Sequence, residues 1–249
     1  MIVAILQARL SSNRLPQKVL MDLNGKPMLH HIVTRLRMCK EIDQIVVATS
    51  TDRSDDALAK WCRENQIDCF RGSLNNVLNR YFECAKKYSA DTIIRITCDD
   101  PLKDSPLISR MIQEFAAQRP SLLTNNNPPS FPEGLDIEIF DFKSIEQANS
   151  NAETEFEKEH VTQHFYKNQN RFKILNLEND RNLSGLRFTV DTQSDLDFAR
   201  EVYKSLDKGD SIFWLDEILE FLKSNPKINQ INSNVKRSHM YEGKNAKNI

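Results

Sequence analysis

Ile2-Val3-Ala4-Ile5-Leu6-Gln7-Ala8-Arg9-Leu10-Ser11-Ser12-Asn13-Arg14-Leu15-Pro16-Gln17-Lys18-Val19-Leu20 decides how the rest of the chain is read. Its first five residues form a short apolar run of the kind that fills a strand buried on both faces. A polar loop follows, carrying Arg9, Arg14 and Lys18. Open α/β sheets bind ligands beyond the carboxyl ends of their strands, where this loop would lie. Arginine offers a two-pronged fork to phosphate oxygens, lysine a point charge, and Ser11 and Ser12 add hydroxyl donors. A solvated basic loop is the plainer reading. The position between an apolar first strand and a proline-led helix favours an anion site.

The whole chain has 249 residues, 39% hydrophobic, with 34 Lys and Arg against 35 Asp and Glu. That suits one globular domain with a sizeable core. The balance is uneven along the sequence: residues 1–40 carry seven basic residues and one acid, residues 223–249 six and one, and the middle is acidic. The six glycines lie too far apart for a dinucleotide loop or a P-loop, both of which need two glycines within six positions. No apolar run reaches the roughly 18 residues that cross a membrane. The first strand lacks the basic leader and cleavage site of a signal peptide. Five cysteines, odd in number and without a C-x-x-C pair, read as free thiols in a reducing cytoplasm.

Outward from the first strand, β-rich runs at 45–48, 67–70 and 92–97 alternate with helical patterns, which predicts an α/β domain on a mostly parallel sheet. The helical faces are Met28, Leu29, Ile32, Val33 and Leu36; Val77, Leu78, Tyr81, Phe82 and Ala85; and Leu107, Ile108, Met111, Ile112 and Phe115. Pro27 and Pro106 suit first-turn positions, and Asp55 and Asp56 a helix N-terminus. Residues 124–134 are turn-rich. They lead into 135–140, whose apolar/polar alternation predicts a half-exposed strand. A single acidic helix is expected over 153–166, then strands at 172–177 and 186–190, and helices near 195–206 and 214–222. The domain spans 1–224, and 225–249 is a polar tail expected to be poorly ordered after about residue 235.

Two strands end in acid. Thr92 to Thr97 runs into Cys98-Asp99-Asp100-Pro101, and Leu186 to Val190 into Asp191-Thr192. Carboxylates in such places can hold Mg²⁺ beside phosphates, since Mg²⁺ takes one or two carboxylates together with phosphate and water. An Asp-Asp-Pro turn with a helix cap is the structural alternative. Two such ends with a cationic loop point to a metal and triphosphate site.

The A-R-x-x-S-x-R-L-P-x-K pattern at 8–18 resembles the triphosphate motif of the cytidylyltransferases that activate acidic sugars. Further matches in register are Phe70-Arg71-Gly72-Ser73, Val77-Leu78-Asn79-Arg80-Tyr81, Arg95-x-Thr97-x-Asp99-x-Pro101-Leu102, Gly134-Leu135-Asp136-x-Glu138, Glu159-His160-Val161-Thr162 and Thr189-Val190-Asp191-Thr192. Together they resemble the spore-coat-polysaccharide branch across about residues 2–205. The resemblance implies a three-layer, Rossmann-like nucleotide-diphospho-sugar transferase (GT-A-like) fold, with a small dimerisation arm at about 125–185. It implies Arg9, Arg14 and Lys18 on the triphosphate of CTP, and Mg²⁺ on Asp99 and Asp191. Ala8, Ser12, Ala48, Thr49, Arg71, Gly72, Ser73 and Thr97 would lie along the nucleotide. Glu138, His160 and Thr162 would face the acceptor or a partner subunit. Relatives often carry Gly where this chain has Ser11 and Gln17, and Asp where it has Asn76 and Asn79.

The expected reaction is transfer of CMP from CTP to an acidic sugar or related acceptor, with release of pyrophosphate, in a cytoplasmic homodimer. A glycosyltransferase using a metal-bound nucleotide sugar, or a non-catalytic nucleotide-binding partner of a polysaccharide assembly complex, are the rivals. His160 and His164 lack the H-E-x-x-H pattern of a metalloprotease. His30 and His31, Trp61 and Trp214 read as packing, and the acids of 153–159 as a solvated face. The basic tail lacks the interleaved aromatics of a nucleic-acid surface, so no nucleic-acid partner is expected.

Overall fold

The computed structural model describes residues 1–12, 14–209 and 211–236. The strands are β1 (Ile2–Gln7), β2 (Asp22–Leu23), β3 (Lys26–Pro27), β4 (Gln44–Ser50), β5 (Asp68–Gly72), β6 (Thr92–Thr97), β7 (Leu122–Thr124), β8 (Glu138–Asp141) and β9 (Ile174–Asn176). The first helices are α1 (Met28–Leu36), α2 (Asp56–Glu64), α3 (Val77–Lys87), α4 (Ser105–Gln118) and α5 (Phe142–Asn151). They are followed by α6 (Glu155–Glu159), α7 (Gln163–Lys167), α8 (Gln193–Leu206), α9 (Leu215–Ser224) and α10 (Pro226–Asn229).

Seven strands form one sheet in the order β5-β4-β1-β6-β8-β7-β9, and β2 and β3 make a separate hairpin. All neighbours are parallel except at β8, which runs antiparallel to both β6 and β7. Strand β1 lies in the sheet interior, between β4 and β6, because its side chains suit no edge: Val3, Ala4, Ile5 and Leu6 are each 0% exposed. Ala4 and Leu6 face a core shared with α1, α4 and α8, while Val3 and Ile5 face one shared with α3, α5 and α7. Truncating either large side chain to alanine typically costs about 2–5 kcal/mol.

The predicted strands and helices of the first half are present, with ends shifted by a residue or two. Four expectations are corrected. The alternation at 135–140 does not mark a half-exposed strand: β8 sits between β6 and β7, and Glu138 is 4% exposed because Arg95 on β6 donates to it at 2.6 Å. A buried ion pair here imitates the polar face of an amphipathic strand. The single helix of 153–166 is two short helices. Thr154 starts the first with a capping box, and His160-Val161-Thr162 breaks the run as Val161 turns into the core. Within the acidic run, Glu157 is not solvated but 2% exposed, held by Thr154 and His164. Residues 186–190 are extended but join no ladder; Arg187 forms an isolated bridge with Glu133. Strand β7, unforeseen, is only three residues long and completely buried.

The polar segment after Asn225 begins with a helical turn, and Asn232 is buried against the domain. The loose tail expected after about residue 235 falls largely on 237–249, outside the described residues.

Candidate functional site

Three core side chains, Leu10, Leu15 and Val19, root the loop after β1. Asp55, completely buried, fastens it from the next crossover by accepting the Leu10 amide at 2.7 Å and the Ser50 amide and hydroxyl. Asp56 takes the helix N-terminus expected of the pair, while Asp55 turns inward. Gln17 then adopts φ +59°, closing a bond from its amide to Leu10 O at 2.9 Å. A single 3-10 turn follows, whose first residue is Lys18.

Lys18 Nζ donates to Asp99 Oδ2 at 3.0 Å, Asp191 Oδ1 at 2.8 Å and Val190 O at 2.9 Å. Arg14 reaches the same Asp191 oxygen at 2.9 Å from a half-exposed position. Burial works against the Lys18 charge, but Asp99 and Asp191 outweigh it and hold its pKa above the ordinary lysine value. The Asp99 carboxyl lies below its usual range: burial opposes ionisation, and the Lys18 ammonium prevails. Arg9 is exposed and has no ion-pair partner among the described residues.

A buried cation stands near each of these acids, bonded to Asp191 itself in one case and to Asp100, the neighbour of Asp99, in the other. Asp100, next to Asp99, receives Thr97 Oγ1 at 2.7 Å and Lys103 Nζ at 2.9 Å; Lys103, 0% exposed, also donates to Asp136 O. Burial raises the Asp100 pKa against the pull of Lys103. Behind Asp191 stands Arg187, which donates to Asp191 Oδ2 at 3.1 Å, Glu133 at 2.7 Å and Asp195 at 2.8 Å. Asn232 closes the cluster by donating to Asp195 and to Arg187 O, both at 3.0 Å. Gly134 makes the assembly possible: with φ +104°, a Cβ there would lie 2.6 Å from the Thr189 amide nitrogen. Only glycine lets these two segments run so close.

The structure therefore brings Arg14, Lys18, Asp99 and Asp191 into one cluster at the carboxyl ends of β1 and β6. Ala8 is buried beside β4, its amide bonded to Ala48 O, and Ser12 Oγ accepts from the Leu15 amide. Thr49 is completely buried. Arg71 is committed to the end of β4, donating to Ser50 O and Asp52 O at 2.8 Å and pairing with Asp56. Gly72 pairs in register with Ser50, and Ser73 is exposed just beyond. Glu138 sits on β8 with Arg95 and receives Tyr166 Oη at 3.3 Å. His160 packs edge-on to Phe156, and Thr162 is buried at the start of α7.

A family model described as cytidylyltransferase matches residues 3–236. The chain belongs to the cytidylyltransferase family. Over 245 residues it is 36% identical to an uncharacterized protein of Methanocaldococcus jannaschii, covering 97% of this chain and 98% of that one. It is 29% identical to the spore coat polysaccharide biosynthesis protein SpsF of Bacillus subtilis, across 90% and 95% of the two chains. A solved cytidylyltransferase from Leptospira borgpetersenii superposes with a TM-score of 0.88 at 31% identity, covering 96% of this chain and 99% of that one. A CMP:2-keto-3-deoxy-manno-octonic acid synthetase shares the fold at TM-score 0.63 and 18% identity, over 82% and 98%.

The sequence of this cytidylyltransferase gives Lys103 and Arg187 no role and offers Asp55 only as an acid at a helix N-terminus. Arg187 stands four residues before Asp191, within the run that ends in that acid, and Lys103 four after Asp99, so both carry a positional signal. Neither spacing reveals a buried partner contributed by another segment.

Proposed function

We propose that this protein transfers CMP from CTP to an acidic sugar or chemically related acceptor, serving surface polysaccharide or glycoconjugate synthesis. The observation that carries the reading is the Lys18 ammonium set between Asp99 and Asp191, with Arg14 beside it. Family membership supplies the reaction class, and SpsF of Bacillus subtilis the biosynthetic setting.

An acceptor oxygen attacks the α-phosphorus of CTP in line, the bond to the β-phosphate oxygen breaks, and pyrophosphate leaves. Negative charge grows on the phosphate oxygens, so fixed cations lower the barrier by electrostatic stabilisation. Lys18, Arg14 and the exposed Arg9 supply those cations. The Asp55 anchor and the core leucines hold their loop in place, so little reorganisation is required. No described side chain is placed as a dedicated general base.

Asp99 and Asp191 fit a divalent cation. Each turns a carboxylate oxygen to the Lys18 ammonium, so the two lie side by side, and two carboxylates with phosphate oxygens form a typical Mg²⁺ donor set. When bound, Mg²⁺ would neutralise phosphate charge. Cytosine and ribose would lie toward Ala48, Thr49 and 71–73, with Thr97 also along the nucleotide, and the acceptor toward Glu138, His160 and Thr162. The segment 125–185 would pair two subunits. No helix among the described residues is long and apolar enough to cross a membrane, and the proposed location is the cytoplasm.

The test is incubation with CTP, Mg²⁺ and a panel of acidic sugars while pyrophosphate is measured. Pyrophosphate with a CMP-linked product is expected. Binding of CTP without turnover across a broad panel contradicts the catalytic reading.

A further inference from the structure

Arg80, in the first turn of α3, is 1% exposed. Its Nη1 donates to Ser73 O at 2.8 Å, whereas Nε and Nη2 are buried without an acceptor among the described residues. Gln7 Oε1, at the carboxyl end of β1, is likewise buried without a donor. Native proteins seldom leave such groups unanswered unless a ligand, water or function requires it.

These groups belong to one side of the sheet. Tyr81 Oη donates to Ile5 O at 3.3 Å, which lays the start of α3 against β1. Val3 and Ile5 face the α3 side, and strand alternation puts Gln7 on that side too. Gln7 pairs in register with Ala48 and Thr97. Gly72 lies directly over the guanidinium stem: a Cβ there would meet Arg80 Cγ at 3.0 Å. The segment covering Arg80 is a surface one, with Ser73 and Asn75 exposed.

Two donors and one acceptor are the complement of one nucleobase edge. Cytosine presents O2 and N3 as acceptors and its N4 amino group as a donor. Uracil presents a donor at N3 and an acceptor at O4, which would set donor against donor and acceptor against acceptor.

We propose that Arg80 and Gln7 read the cytosine of CTP, the guanidinium donating to O2 and N3 and the Gln7 amide oxygen accepting from N4. The assignment rests on the CTP reading above and names the residues that select the base. A base entering this place lifts the Ser73 carbonyl that now caps Nη1. Gly72 keeps the cover thin enough to allow it.

Calorimetric titration of CTP, UTP and inorganic pyrophosphate, each with Mg²⁺, into the wild type, Arg80→Lys and Gln7→Leu tests it. Wild type is expected to favour CTP over UTP. Arg80→Lys should weaken CTP on the order of tenfold to a hundredfold and narrow the CTP to UTP ratio, with pyrophosphate affinity unchanged. Gln7→Leu narrows the ratio from the N4 side, and carries the test by itself if Arg80→Lys does not fold. A ratio left at the wild-type value in folded variants overturns the assignment, as does an equal loss of CTP, UTP and pyrophosphate, which marks a structural role. Wild type that binds no CTP overturns the cytidylyl-transfer reading and this assignment with it.

Discussion

Lys18 Nζ lies 2.8 Å from Asp191 Oδ1 although 173 positions separate the two residues. The bond ties the loop after the first strand to the end of an extended segment near the last third of the chain, and Asp99 completes the bridge at 3.0 Å. One ammonium thus ties the loop after β1 to the acid that follows β6 and to the acid that follows residues 186–190.

Removing either partner should stop turnover without unfolding the domain. Asp191 keeps Arg187 and Arg14 when Lys18 is lost, and Asp99, whose side chain is 30% exposed, is left open to water. Lys18→Ala and Asp99→Asn are each expected to lower pyrophosphate release about a hundredfold or more while melting cooperatively. Near-normal release by either variant contradicts the assigned roles.

Arg187 should matter to stability more than any surface cation. Arg187→Met leaves Glu133, Asp191 and Asp195 as buried acids without their common counter-ion, a loss of about 3–5 kcal/mol. Chemical denaturation should show the midpoint falling accordingly. A change below about 1 kcal/mol would mean that Lys18 and Asn232 suffice to hold the cluster.

Gln17 occupies left-handed backbone, φ +59°, where glycine is free of strain. Its amide bond to Leu10 O survives substitution, and its side chain is exposed. Gln17→Gly should therefore raise stability by about 0.5–1 kcal/mol, read as a slightly higher melting temperature. A clear loss would show that the Gln17 side chain has a role of its own.

Glu157, in α6, makes a pH-dependent contribution to stability. Burial opposes ionisation of Glu157, but donors from Thr154, His164 and Lys167 hold its pKa at about 2, against an ordinary 4.5. Because the folded value is depressed, the stabilisation is complete above about pH 4.5 and fades as pH falls toward 2. Glu157→Gln should be less stable than wild type at pH 7, and the gap should close below pH 4.5. A gap constant from pH 7 to 3 contradicts this account.

What could be read from the sequence follows from how local each signal is. The β1 run, its cationic loop and the acid after β6 lie within contiguous stretches of uniform character, so strand end and charge are visible together. Glu138 misleads because its partner, Arg95, is 43 positions away: an isolated alternation cannot distinguish solvent from a buried counter-ion. Strand β7, with three residues, is too short to show a period. The Arg187 cluster draws on 133, 187, 191, 195 and 232, and only the folded chain reveals that one arginine serves them all. Asp55 illustrates the same limit, since two adjacent acids before a helix look alike until one turns inward to hold Leu10 and Ser50.

The central claim is that the Lys18 cluster receives the triphosphate of CTP, and ligand-dependent melting tests it most directly. CTP, UTP, ATP and GTP are each added with Mg²⁺ to the wild-type protein. A ligand present at about a hundred times its dissociation constant contributes about 2.7 kcal/mol, a shift of roughly 5–10 °C for a domain of this size. CTP should give such a rise, exceed the other three, and lose most of it in Lys18→Ala. No preferential rise with CTP, or an undiminished rise in Lys18→Ala, would contradict the account.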